Sequence, residues 1–197
     1  MAASLFTPLV FVLPLQNSSL DWTDESILLI DMGTIFGPII DHWDTWRVAC
    51  LSSTARSNPA CIFVPESSSD VSVAIKIFVD NNCQFAVRGG GHTTNPGWAS
   101  TDSGVLVSLS KLTAIEISDD TKSVVIGAVA GGRASTVGVS GFLLGGGLSF
   151  LLHSEGFSAN TVLSYEIVLA SGEVATVTSK SNKDLFRALK GGQGILA

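Results

Sequence analysis

Two runs of three consecutive glycines, Gly89–Gly91 and Gly145–Gly147, constrain this chain more than any other feature. Glycine has no Cβ, so it enters backbone conformations closed to other residues and lets a ligand or a second main chain come close. It also weakens the interior of a helix or strand, by roughly 0.5–1 kcal/mol relative to alanine. Each run therefore marks an irregular segment that regular structure must hold from both sides.

The first run is framed clearly. Cys61-Ile62-Phe63-Val64 is a short apolar run closed by Pro65, the pattern of a buried strand. Ser67-Ser68-Ser69-Asp70 offers several N-caps, whose oxygens can accept the free amides of a first helical turn. Val71, Ala74, Ile75, Phe78 and Val79 follow at helical spacing, which predicts an amphipathic helix over Val71–Asn81. Gln84–Arg88 reads as a second buried strand, so the order strand, helix, strand opens a βαβ unit. That strand runs straight into Arg88-Gly89-Gly90-Gly91-His92. Successive amides in such a run can face one concavity, a nest that binds anions, phosphates above all.

Strands are predicted next at Val105–Ser108, Ala114–Ile117 and Ser123–Gly127, with Asp119-Asp120 as a polar turn. The stretch Gly131–Gly147, GGRASTVGVSGFLLGGG, carries too many glycines for an ordinary helix or strand and is expected to form a long loop. Beyond it, Leu163–Leu169 and Val174–Thr178 form a hairpin about Ala170-Ser171-Gly172-Glu173. Asn182 is expected to cap a last helix, Asp184–Leu189, which Gly191-Gly192 ends. The fold class is α+β with short strands.

Composition narrows the function classes. Hydrophobic residues make up 46% and charged residues 14%, too apolar for a disordered chain. The formal charge of −6 leaves no basic face for nucleic acid and no polybasic stretch for an anionic membrane, so neither partner is expected. Cys50, Cys61 and Cys83 match no zinc spacing and are expected to be buried free thiols; their odd number disfavours an oxidising compartment. Leu5–Leu15 is apolar, but the first basic residue is Arg47 and no A-x-A site follows, so secretion is the lesser expectation and the cytoplasm the favoured one. Residues 1–58 are taken as a leader and extension, and 59–197 as the folded domain.

RGGGH alone is as well explained by a tight turn beside a surface histidine. GGGLS lacks the Lys and Ser/Thr of a phosphate-gripping Walker loop, and no GxGxxG follows a strand, so nucleotide hydrolysis and a Rossmann site are rejected. His42 and His153 have no ligand-like partners at metal spacing, and no catalytic triad follows from spacing. Together the two glycine loops suggest one long phosphate-bearing ligand laid against main chain.

Five segments in order carry a resemblance: PACIFVPESSSDVSVAIKIF, NNCQFAVRGGGHTTNPG, GGRASTVGVSGFLLGGGLSF, VLSYEIVLASGE and NKDLFRALKGG. Residues 60–192 resemble the PCMH-type FAD-binding domain of the vanillyl-alcohol-oxidase-like flavoenzymes, and most of all the fungal FAD-linked oxidoreductases related to berberine bridge enzyme. The resemblance implies two α+β subdomains with FAD stretched between them. It implies a covalent bond from His92 to the flavin 8α carbon. Relatives that add a cysteinyl link do so where this chain has Ala134. Gly89, Gly90 and Gly91 are implied to carry amides to the pyrophosphate, Arg88 is counted with them as cofactor-binding, and Thr136, Val137, Gly138, Gly141 and Gly146 are implied to line the flavin and its tail.

Two departures accompany it. Relatives carry a helix and a strand between their counterparts of Val125-Ile126-Gly127-Ala128 and Gly131-Gly132-Arg133, segments that almost touch here. Their substrate domain, with the usual base, would follow beyond Ala197. No catalytic residue is placed by motif, and the domain is expected to be incomplete. The implied activity is hydride transfer from a small-molecule C–H to flavin N5 with molecular oxygen as reoxidant, in fungal secondary metabolism. The rival expectation is an inactive flavin-binding remnant or mis-spliced product, and a third is a subunit completed by a second chain bearing the substrate domain.

Overall fold

A computed structural model of the chain describes residues 52–120, 122–127 and 137–192. The leader as far as residue 51, with His42 and Cys50, lies outside the described residues, as do Ala134 and Thr136.

Three short parallel strands form the first layer: β1 (Cys61–Phe63), β2 (Phe85–Arg88) and β3 (Val105–Ser108). Their order is β1-β3-β2, so the strand latest in sequence lies in the middle. Helix α1 (Ser68–Asp80) makes the crossover. Its cap is Ser67, whose Oγ accepts from Asp70 N at 3.2 Å while Asp70 Oδ2 accepts from Ser67 N at 3.0 Å. This reciprocal box selects one serine from the run of candidate caps, because only Ser67 has an acidic residue three positions on. The apolar stripe of α1, Val71, Ala74, Ile75 and Phe78, is buried against Cys61, Phe63, Val105 and Val107.

The hairpin β4 (Ile115–Ile117) and β5 (Val124–Ile126) follows, with Ile115 opposite Ile126 and Ile117 opposite Val124. Directly paired residues share a face, so this hairpin carries one aliphatic face, and it is open: Ile115 is 62% exposed and Ile117 70%.

The expected glycine-rich loop is corrected in part. Inside it lies a six-residue helix, α2 (Val139–Leu144), which includes Gly141. Burial of Val139 and Leu144 outweighs the helix cost of one glycine, about 1 kcal/mol. A single turn, α3 (Leu152–Glu155), and a 3-10 turn at Ser158–Thr161 come next, neither foreseen from periodicity.

Strands β6 (Ser164–Val168) and β7 (Val174–Thr178) form the expected hairpin, and α4 (Lys183–Ala188) closes the described chain. Asn182 occupies the cap position of α4, but its side chain makes no capping bond, contrary to expectation. Its own backbone is left-handed (φ 56°), whereas a capping side chain needs an extended backbone at that position.

The β6–β7 hairpin serves two cores. Tyr165, Ile167 and Val177 pack with Leu144, Phe186 and Leu189, whereas Val168 packs into the cluster beneath α1. The hairpin turn is seated on α1: Ser72 Oγ donates to the Gly172 carbonyl in a buried bond. Gly172 has φ +76°, and a Cβ there would stand 2.5 Å from Lys76 Cγ and 3.0 Å from the Ser72 carbonyl oxygen. Gly172→Ala is therefore expected to destabilise the protein by about 2–3 kcal/mol, from left-handed strain plus the backbone contact. Denaturant unfolding monitored by circular dichroism checks this.

Cys61 and Cys83 are buried free thiols, as expected. Burial pushes both up to about 11, with the neighbouring Cys61 adding to the shift at Cys83. The folded state thus holds protons that the unfolded state has released above its ordinary thiol value of 9.0. Stability from these groups is intact below pH 9 and is lost progressively as pH rises from about 9 to 11. Both thiols are expected to resist an alkylating reagent at pH 8 until denaturant is added, as peptide mass mapping would show.

Candidate flavin site

The site is built where two glycine segments meet. Arg88 ends β2 opposite Ser108 of β3, and its carbonyl accepts from Leu109 N at 2.9 Å, which pins the exit of the strand. The Arg88 side chain is only 3% exposed. Beyond it the chain leaves the ladder through Gly89 and Gly90, both half-buried, into Gly91, which is buried with φ +67°. A side chain rarely tolerates that conformation, so the third glycine is where the turn requires the residue type. His92 follows, half-buried.

Gly138 approaches this loop from the other glycine segment. A Cβ on Gly138 would lie 2.5 Å from Gly90 N, 3.2 Å from Gly89 C and 3.3 Å from Gly90 Cα. The two main chains are therefore in direct contact, a separation that only glycine allows at position 138. Val137 beside it is half-buried, and Gly138 caps α2.

The remaining expected residues lie farther along. Gly141 sits on the exposed side of α2, with open space where a Cβ would be. Gly146 has φ +90° and lies beneath the Phe157 ring. It lines a separate cleft of about 260 Å³ with Gly145, Phe157, Asn160, Lys190 and Gly191. Lys190 Nζ donates there to the carbonyls of Asn160 and Val162 at 3.4 Å each and sits 4.4 Å from the Phe186 ring centre. Burial holds this ammonium below the usual lysine range. Thus Arg88, Gly89, Gly90, Gly91, His92, Val137 and Gly138 form one region, while Gly141 and Gly146 extend away along α2.

Sequence reasoning missed the segment that backs the His92 loop. A 3-10 turn, Ser53–Ala55, places Thr54 Oγ1 2.7 Å from the Thr94 carbonyl oxygen, to which it donates. No periodicity marks so short an element, and only the contact itself reveals it.

The arrangement suits a dinucleotide. Glycine main chain meets glycine main chain where the two loops join, a buried arginine precedes the first loop, and a half-buried histidine follows it. This is the donor set that a pyrophosphate and an electrophilic ring carbon call for.

Comparison with known proteins agrees. Residues 59–134 match a family model described as an FAD binding domain. The FAD-dependent monooxygenase prx3 of Penicillium roqueforti is 41% identical over 159 residues, covering 72% of this chain and 31% of that protein. The FAD-dependent monooxygenase yanF of Aspergillus niger is 35% identical over 175 residues, covering 80% and 29%. The chain thus spans about a third of the length of these relatives. Among solved structures, a glucooligosaccharide oxidase of Acremonium strictum superposes with a TM-score of 0.67 at 27% identity, covering 73% of this chain and 34% of that one. The 6-hydroxy-D-nicotine oxidase of Arthrobacter nicotinovorans gives 0.69 at 25% identity, covering 78% and 37%. With the two glycine segments in contact and the parallel strands in place, the chain resembles the FAD-binding domains of these FAD-linked oxidoreductases.

Proposed function

We propose that this chain is the flavin-holding part of an FAD-linked oxidoreductase acting on a small molecule. The observation that carries the proposal is the main-chain contact of Gly138 with Gly89 and Gly90, which joins the two glycine loops. Bound FAD supplies a two-electron acceptor for hydride from a substrate C–H, with dioxygen as final oxidant. The protein supplies the rest. Gly89, Gly90 and Gly91 present amides to the pyrophosphate, and Arg88 adds charge that does not titrate. Val137 and Gly138 form the facing wall.

His92 is proposed as the covalent anchor. Support comes from the Acremonium oxidase, which carries 6-S-cysteinyl, 8α-N1-histidyl FAD. His92 supplies the imidazole here, and Ala134 offers no thiol for the second link. With FAD bound, the His92 imidazole would lose its N–H hydrogen and the flavin methyl carbon one C–H hydrogen as the C–N bond formed, and dioxygen would take both as hydrogen peroxide. The fungal origin of both monooxygenase relatives supports a role in tailoring a fungal small molecule.

A second reading is a flavin-binding piece that works only with another polypeptide. The open aliphatic face of β4–β5 and the exposure of Phe150, 83%, favour it. Peroxide release by the purified chain, assayed with alcohols and sugars, separates the readings: turnover supports a working oxidase, and FAD uptake without turnover supports the piece.

Acid precipitation of the FAD-loaded wild type is expected to give a yellow pellet. In His92→Ala all of the flavin is expected in the supernatant, and flavin retained in that pellet would remove His92 from its role. Gly138→Val is expected to weaken FAD uptake at least tenfold, about 1.4 kcal/mol, because the new side chain must displace the Gly90 main chain. Fluorescence titration of apoprotein with FAD measures this, and wild-type affinity would show that the loop contact does not build the site.

A further inference from the structure

We infer that Thr54, five residues upstream of the matched FAD-binding stretch, is a positioning residue that holds the His92 loop in register for bond formation to the flavin. The inference rests on the reading of His92 as the covalent anchor.

The loop that carries His92 needs an external hold. Gly91 at φ +67° turns the chain out of β2, and residues 91–94 have no repeating structure. Pro96 and Gly97 (φ +79°) then turn the chain again before it reaches β3 at Val105. Two residues past the histidine, Thr94 offers its carbonyl to Thr54 Oγ1 at 2.7 Å.

The donor is itself held. Thr54 has one hydroxyl hydrogen, and it points to Thr94. The 2.7 Å contact between Ser52 Oγ and Thr54 Oγ1 therefore has Ser52 donating. Ser52 Oγ in turn accepts from Thr54 N at 3.3 Å. The result is a relay from Ser52 hydroxyl to Thr54 hydroxyl to Thr94 carbonyl, in which each bond polarises the next. Ala55, fully buried, roots the turn in the protein.

The same segment continues as a strap along the far side of the loop. Asn58 N donates to Asp102 Oδ1 at 2.8 Å, Ser103 N donates to the Asn58 carbonyl at 2.9 Å, and Ala60 N donates to the Gly104 carbonyl at 2.8 Å. These bonds fix residues 102–104, and Thr54 reaches the His92 end. A covalent step depends steeply on placement: reacting atoms must come within about 3–3.5 Å, and an error of 1 Å can cost about 10²-fold. Losing one exposed hydrogen bond is a smaller fault, equivalent to roughly threefold to tenfold.

The test follows covalent attachment directly. Apoprotein of the full chain is mixed with FAD in air, and acid-stable flavin is measured over time. Thr54→Val is expected to slow attachment about threefold to tenfold, and Thr54→Ser to restore the wild-type rate. Non-covalent affinity is measured in the His92→Ala background, where adding Thr54→Val is expected to leave the FAD dissociation constant unchanged. Attachment by Thr54→Val at the wild-type rate overturns the inference. So does slow attachment accompanied by a matching loss of affinity, or one that serine fails to rescue, since either marks a general structural role. If the wild type binds FAD but never becomes acid-stable, the His92 reading fails and this inference falls with it. Acid-stable wild type with an indifferent Thr54→Val defeats this inference alone.

Discussion

The seating of the β6–β7 turn on α1 is the contact that the rest of the molecule depends on. Strand β2, which the glycine loop follows, packs on one core, and α2 packs on the other. The meeting of Gly138 and Gly90 needs the two cores held at one separation. The Ser72 bond to Gly172, with Val168 buried beneath α1, supplies that hold. At 172 glycine is favoured by a φ of +76° and by the Lys76 side chain and Ser72 carbonyl that crowd the position, whereas at 138 a backbone occupies the volume that a Cβ would take. The first closes the frame, and the second uses it.

Legibility in the sequence followed the range of the interactions. Helix α1 was readable because its cap and apolar stripe lie within one continuous segment, and β7 because its alternation and turn are local. Helix α2 was not, because the burial of Leu144 against Tyr165 and Ile167 joins residues far apart in sequence and overrides the local cost of Gly141. Asn182 showed the converse: the right residue type at the cap position, with a left-handed backbone that forbids the usual bond. At the site, the motif RGGGH named the first loop, and the motif order implied the second. The contact between them, and the strap carrying Thr54, are tertiary facts that no spacing rule contains.

The chain aligns with about a third of its relatives' length. The alignment with the Penicillium protein runs over 159 positions yet takes up 72% of this chain, so the relative has positions without a counterpart here. The β4–β5 face leaves Ile115, Ile117 and Val124 exposed. Each exposed aliphatic side chain forgoes a share of the roughly 25 cal/mol per Å² that burial would return.

The strand order β1-β3-β2 has a consequence for how the molecule assembles. Neither β1 nor β2 pairs with the other; both ladders run through β3. Until β3 inserts between them, the first layer has no interstrand hydrogen bonds, and the glycine segment is an open tether with one free end. Insertion of a central strand from later in the chain closes a non-local loop, the slow kind of step in folding. The concavity for the cofactor therefore comes into being late, in the same event that completes the sheet. A cofactor present at that moment would act on folding as well as on chemistry, drawing the chain toward the closed state by mass action.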